Sequence, residues 1–516
     1  MPDVEGGASV RSQGHDSVNR YSDALRVFRE RVSSKVTKIR ELPTGRVSTA
    51  FDGGDASYDN PVIIDMVPEE DSVPQTSVLP TSNDTEYDDL ISQAEEWKQR
   101  HCDANLHEVC FTTTRFIAGL FDEQGGMLNM DHMGIRLFVP PGAIEGEAKL
   151  IYMYIAKDLQ YMPSIDLTQA RVGPTIFCGP QGIGFLERVI LSYEHCANID
   201  DASTKLVPMF TSSRPNENLD YKSLDEEEDV LVIKRRGRCS ILISHFTGFS
   251  SIATSTSPDL PAEIYMNLVV YSSLVQATAT RMILRLYFVH KTADAIQMVA
   301  CEEESINGVK RTPFTTWSFK TNLDATSLLE IENNWTTRNP KLTIPADTLR
   351  ENLYVTKSYM LLKRDTIIEN SLVGSVHVTQ AGQSDDLKET LHILAQENED
   401  KMIKRKAIPM RSSVLLKQPL RRTLKELLDP DGLVDWRMFA HELELDDMIP
   451  KLEKQKHGSP TYELLNTWEA TRSRNDAEDW LHLQQIFEKI GRKDAVTEIL
   501  KAKSEMNYVE LDCSKK

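Results

Sequence analysis

The residues best placed to do chemistry are His245, Phe246 and Thr247, which follow the alternating segment CSILIS. Thr247 supplies a hydroxyl and His245 an imidazole two positions before it. A hydroxyl becomes a nucleophile when a neighbouring base takes its proton, so the tripeptide holds two parts of a nucleophilic centre. The competing reading is a half-buried histidine and threonine whose polar groups are satisfied within a strand. No G-x-S-x-G, no GK[ST] loop and no HExxH occurs, which argues against a turnover enzyme. The seven cysteines are odd in number and include no CxxC or CxxxC pair. They read as buried thiols in a reducing compartment, and neither metal nor other cofactor is expected.

The elements that carry this tripeptide are strands. From 111 to 254, segments such as IRLFVPP, KLIYMYIA, PTIFCGP, ERVILSYEHC and CSILISHF are separated by Gly, Pro and Asp turns, the pattern of a β-sandwich or barrel. A second set, including EIYMNLVVYSSL, RMILRLYFVHK, WSFKTNL, SLLEIENNW, LYVTKSYMLLKR and SLVGSVHVTQ, fills 258–397 and predicts another sandwich. Residues 398–414 are basic, are interrupted by Pro409 and read as a linker.

From 415 to 505 the period changes to helical. Six segments can be marked, with inward stripes at Leu420, Leu424 and Leu427, at Phe439 and Leu443, at Ile449 and Leu452, at Leu464, Leu465 and Trp468, at Trp480, Leu483, Phe487 and Ile490, and at Val496 and Ile499. Ser459-Pro460 is an N-cap followed by proline at the first helical position, and Gly491 marks a helix end. The fold class is therefore multidomain, with two β-sandwiches followed by an all-α six-helix bundle.

Residues 1–110 read as a mostly disordered region containing one basic amphipathic helix at about 17–42, in which Tyr21, Leu25, Phe28, Val32, Val36 and Ile39 share a face. That helix suits a coiled coil, docking on an acidic body, or an anionic membrane surface. The stretch from about Phe51 to Asp89 is acidic and rich in Pro and Ser, as expected of a linker, and a short helix near Tyr87–His101 follows it. At 516 residues the chain has room for about three domains, and its net charge of −19 argues against nucleic-acid binding. With neither a secretory signal nor an apolar run of spanning length, the expected location is cytoplasmic, with peripheral membrane contact confined to 17–42.

The helical stretch, with WRMFAHEL, YELLNTWEA and LQQIFEKIGRKDAV in order, resembles the death domain of the netrin-receptor and Unc-five-like family. GGMLNMDHMGIRLFVPPGAI, with Pro140, Pro141, Gly142 and Ala143 in its turn, is similar to the opening hairpin of that family's ZU-five domain. The position of 258–397, with RMILRLYFVHKTADAI, resembles the family's UPA domain. The lack of extracellular domains and of a membrane span resembles the family's C-like branch more than its receptors. The resemblance implies a death-domain signalling adaptor that drives apoptotic or NF-κB-type signalling. It also implies that the β-domains fold back on the death domain and hide its surface. Two further readings stay open: the intracellular region of a netrin receptor, and a scaffold activated by self-cleavage.

Two sets of site residues depend on that resemblance. In relatives, an HFS tripeptide at the strand that here ends in His245 cleaves itself before its serine, which implies Phe246-Thr247 as the corresponding bond here. Thr in place of Ser stiffens χ1 and crowds the attack. In the death domain, Lys417, Arg421, Arg422 and Lys425 crowd the first helix, whereas Glu442, Glu444, Asp446 and Asp447 line the second and third. As individuals these are solvated helix faces; as a set they form a basic and an acidic patch able to pair head to tail with other death domains or with a second copy.

Overall fold

The computed structural model describes residues 83–100, most of 110–307, the strand segments between 315 and 394, and most of 414–513. The basic helix expected at 17–42, the acidic stretch as far as residue 82 and most of the 398–414 linker lie outside the described residues. Helix α1 (Asn83–Arg100) begins inside the segment read as linker.

The strands that follow are β1 (Cys110–Thr112), β2 (Phe116–Phe121), β3 (Gly126–Met130), β4 (Ile135–Val139), β5 (Lys149–Ala156), β6 (Gln169–Arg171), β7 (Thr175–Gly179), β8 (Gly184–Glu194), β9 (Thr204–Thr211), β10 (Lys222–Ser223), β11 (Leu231–Arg235), β12 (Arg238–His245) and β13 (Gly248–Ser255). They form two antiparallel sheets, one in the order β1-β2-β5-β7-β13-β9-β10 with β6 also paired to β13, the other in the order β11-β12-β8-β4-β3. Side chains alternate across a strand, and one parity of each sheet supplies the shared core: Ile117, Phe121, Ile151 and Met153 from the first, Leu137, Val139, Val189, Leu191, Ile241 and Ile243 from the second.

The opposite parity is also apolar, so each sheet has a second face to cover. On β2 and β5, Phe116, Ala118, Leu120, Leu150 and Tyr152 lie under Leu90, Ile91, Ala94 and Trp97 of α1. On the second sheet, Met127, Phe138, Ile190, Leu231, Ile233 and Leu242 share a cluster with the C-terminal helices. A strand covered on both faces reads as a nearly continuous apolar run, which is why VILSY and SILIS show no polar alternation.

The next strands, β14 (Ile264–Ser272) and β15 (Arg281–His290), lead into helix α2 (Ala293–Asn307), a helix inside the stretch whose segments read as strands. There follow β16 (Thr315–Thr321), β17 (Ser327–Asn333), β18 (Lys341–Ile344), β19 (Tyr354–Leu362), β20 (Leu372–Gln380) and β21 (Glu389–Leu394). These make two four-stranded antiparallel sheets, β16-β14-β15-β19 and β18-β17-β20-β21. Met266, Leu268, Leu286 and Phe288 extend the sandwich core. Val269, Tyr271, Tyr287 and Val289 face the other way and meet Ala295, Met298 and Val299 of α2. Arg285 fixes that helix to the sheet: its Nη2 lies 2.6 Å from Glu303 Oε2, and Tyr287 donates to Oε1 at 2.7 Å.

The C-terminal bundle contains α3 (Gln418–Leu428), α4 (Trp436–Glu442), α5 (Ile449–Lys454), α6 (Pro460–Thr471), α7 (Asp476–Lys489) and α8 (Lys493–Cys513). Their starts are chemically marked. Asp435 caps α4 through Arg437 N, and Ser459 caps α6 through Tyr462 N at 3.2 Å with Pro460 next. Gly491 sits at φ 80° between α7 and α8, the left-handed conformation expected there. Most of the sequence-derived stripes are buried, Leu424, Phe439, Leu464, Leu483, Phe487 and Ile499 completely. Leu428 is the fully buried residue closing the α3 stripe, and Leu427 packs partly buried beside it.

Candidate interaction surfaces and the domain seam

Helix α6 is enclosed on all sides over its middle two turns. From Glu463 to Ala470 every residue is buried, including Asn466, Thr467 and Glu469. Leu464, Leu465 and Trp468 join the apolar cluster of the bundle, while Asn466 and Glu469 bond to Arg421 and Glu463 pairs with Arg188 of the second sheet. Glu469 accepts hydrogen bonds from the N–H groups of Leu415 and Leu416, fixing the chain where it enters the bundle. Arg421 pairs with the same carboxylate, donates to Asn466 and donates from Nε to the Leu416 carbonyl at 2.6 Å. The guanidinium also lies 5.8 Å from the ring centre of Phe138 on β4.

That position corrects the reading of Arg421 as part of an exposed basic patch, since its side chain is only 2% exposed. A carboxylate on the central helix requires a buried counter-charge, and Arg421 supplies it. Lys417 and Arg422 are exposed and Lys425 is half-buried, its ammonium 5.2 Å from the Tyr462 ring centre. On the acidic side Glu444, Asp446 and Asp447 are exposed. Glu442 is half-buried and bound to Lys489 at 2.6 Å, and Asp446 accepts from His441 at 2.8 Å. That contact raises the His441 pKa.

The seam between the bundle and the sandwich combines the apolar cluster with polar clasps. Arg188 Nη1 on β8 lies 3.2 Å from Glu463 Oε1 on α6. Arg235, at the end of β11, donates to the carbonyls of Leu443 at 2.8 Å and Glu444 at 2.9 Å, where α4 ends. Arg136 reaches the Arg472 carbonyl at 3.4 Å, and Gln418 donates to the Pro141 carbonyl. Gly142 follows that carbonyl at φ 85°, and a Cβ there would stand 2.7 Å from Gln418 Nε2. The PPGA turn thus does more than reverse the chain; it forms the bed for the start of α3. Burial pushes the Glu463 pKa up to about 7, opposed by Arg188 and reinforced by Glu187. Glu187 is itself raised by burial, with Lys425, Arg421 and Arg188 working against the rise.

At the candidate nucleophile, Thr247 is 4% exposed and its hydroxyl donates to the Thr211 carbonyl on β9. Its own carbonyl accepts from Cys178 N at 3.1 Å. His245 is exposed at the end of β12, with Nδ1 3.4 Å from the Ser244 hydroxyl. Phe246 is buried between them, edge-on to Phe185 at 4.8 Å. Hydroxyl and imidazole are neighbours in sequence but differ in environment. Among the described residues no cluster of three or more His, Cys, Asp or Glu is placed to hold a metal ion, and no helix is long and apolar enough to cross a membrane.

Comparison with known families matches residues 117–210 to the ZU5 domain and residues 421–503 to the Death domain. This chain carries a ZU5 domain and a death domain. The ZU5 match ends within β9, and strand pairing carries the sandwich on through Ser255 of β13. Among curated proteins, the mouse (Mus musculus) UNC5C-like protein is 25% identical over 348 residues, covering 64% of this chain and 66% of that protein. Tight junction protein ZO-1 of Rattus norvegicus and tight junction protein 1 of Canis lupus familiaris are each 33% identical over 134 residues, 25% of this chain and 7% of theirs. The chain thus spans less than two thirds of the length of each of these relatives. The pairing of the two domains and the UNC5C-like match are consistent with the Unc-five family.

The seam residues Arg188, Arg235, Gln418 and Glu463 were not singled out by sequence reasoning. A signal for them existed in the two-sided apolar pattern of β4, β8, β11 and β12, which demands a cover for the second sheet.

Proposed function

We propose that the chain acts as the intracellular signalling part of a netrin-receptor-like protein, a reading that fits these relatives better than a free-standing adaptor does. Its death domain would assemble with other death domains, and its ZU5 domain would restrain that assembly. The observation that carries the reading is the burial of α6 between its own bundle and the ZU5 sheet, with Glu463 paired to Arg188 across the seam. Any partner that needs this face must first separate the two domains. Opening is then a population shift, driven by whatever binds the open form better. Lys417, Arg422 and Lys425, against Glu444, Asp446 and Asp447, would form complementary contact patches once copies meet. Residues 258–397 would take the place of the UPA domain, and the output would be apoptotic or NF-κB-type signalling.

Charge reversal at the seam tests the restraint. Full-length Arg188→Glu should self-associate or capture a death-domain partner at least tenfold more readily than wild type, measured by light scattering and pull-down. The swapped pair Arg188→Glu with Glu463→Arg should return to the wild-type level. Equal association of all three proteins would sink the restraint.

A further inference from the structure

We propose that the seam between the ZU5 and death domains contains a binding site for a small organic anion with a flat apolar body. A cavity of about 410 Å³ lies between β11 and β12 on one side and α4, α6 and α7 on the other. That volume falls within the range of small-molecule sites, which favour boundaries between domains. Ile233 and Leu445 contribute apolar wall, and Trp468 contributes its indole, whose Nε1 donates to His482 Nδ1 at 3.2 Å.

Charge enters from the ZU5 side, where β11 and β12 meet in a hairpin reading KRRGR. Two of its arginines, Arg235 and Arg238, line the cavity. Arg235 directs its bonds to the carbonyls of Leu443 and Glu444, which satisfy hydrogen bonds without cancelling charge. Arg238 reaches Ser192 Oγ at 3.3 Å and Glu194 at 3.4 Å, both long, and the other oxygen of Glu194 accepts from Ala293 N at 2.9 Å. Burial and then the neighbouring Arg136 lower the Arg238 pKa, with Glu194 and Asp131 working against the fall. A half-buried guanidinium whose charge is only partly offset by Glu194 and Asp131, with Arg136 beside it, still has N–H donors to offer an anionic oxygen. On the opposite wall Glu442 is paired with Lys489, and Glu444, which also lines the cavity, is exposed to water that screens its charge. The head of the ligand would therefore be a sulfonate, carboxylate or phosphate at Arg238, and its body would lie along Trp468.

Such a ligand touches both domains, so it binds the docked arrangement and stabilises it by mass action. The site exists only while the seam is closed, and in this it rests on the docked reading above. The probe is 1-anilinonaphthalene-8-sulfonate, which joins aromatic rings to a single anionic head. Titrated into the full chain, its fluorescence should saturate at one equivalent. Arg238→Gln should weaken binding at least fivefold, and Thr471→Trp, at the exposed mouth, should abolish it. Small-angle scattering should show both variants as compact as wild type. Binding without saturation, or a loss under fivefold in Arg238→Gln, overturns the site. An extended wild-type chain overturns the docking and the site together; a compact one that does not bind overturns the site alone.

Discussion

Arg188 and Glu463 face each other across the seam at 3.2 Å, with the carboxylate side chain only 8% exposed and the guanidinium 19%. Removing the Glu463 carboxyl leaves Arg188 without its partner in a largely buried seam, and since even a protonated carboxyl accepts from the guanidinium, the contact is lost in either protonation state. Docking is therefore the property most sensitive to these positions. Glu463→Ala should shift the chain toward extended forms in small-angle scattering while the death domain keeps its helical circular dichroism.

The same carboxylate gives docking a pH dependence. In the docked form its pKa is raised to about 7, against the ordinary carboxylate value when α6 is exposed, and the groups facing it are Arg188 and Glu187. A raised pKa means that docking takes up a proton. The contribution is full below the ordinary carboxylate value and is lost as pH rises through about 7. Scattering from pH 6 to pH 8 should show the compact fraction falling with pH, and Glu463→Gln should flatten the profile.

Arg421 and Glu469 form the counterpart pair inside the death domain. Arg421→Ala should destabilise the domain by about 3–5 kcal/mol in denaturant melts. Arg421→Met with Glu469→Leu should recover much of that loss, because no unpaired charge remains. Arg422→Glu, on the exposed face of the same helix, should leave the melt unchanged and alter only association.

Gly142 is required by both its backbone and its surroundings. At φ 85° an added Cβ is strained, and it would also press on Gln418 at 2.7 Å. Gly142→Ala should cost about 1 kcal/mol or more and loosen the start of α3, visible as faster amide exchange at Leu415 and Leu416.

Thr247 spends its hydroxyl proton on the Thr211 carbonyl. The bond between Phe246 and Thr247 should therefore stay whole, and intact mass of purified protein should show one full-length species. Fragments of 246 and 270 residues that vanish in Thr247→Ala would show the opposite. Thr247→Val should lower stability by about 1 kcal/mol, since a buried hydroxyl-to-carbonyl hydrogen bond is lost.

Much of this architecture was legible because local signals agreed. Ser459-Pro460, Gly491 and the stripes through Leu424, Phe439 and Leu483 mark the bundle without help from tertiary contacts. The first five helices fall within the segments those signals define, and α8 runs past the expected end at 505 to Cys513. Arg421 was misread because charge on a helix looks solvated until its partner is known, and Glu469 lies 48 residues away. Helix α2 was missed because ADAIQMVACEEESIN follows directly on a long strand, and its apolar face becomes distinct only against Tyr271 and Tyr287. The seam pairs positions as far apart as Arg188 and Glu463, which no local pattern joins. What the sequence did carry was the excess of apolar residues on both parities of β8 and β12, a demand for a cover whose identity only the fold supplies.

Helix α1 gives the N-terminal segment a structural duty. It lies on a patch built from Phe116, Leu120, Leu150 and Tyr152. A polypeptide begun at residue 110 would turn that patch to solvent, aromatic rings first, and precipitation or clumping would follow from the missing lid rather than from any death-domain activity. Experiments that trim this region to isolate the rest would then mistake stickiness for signalling.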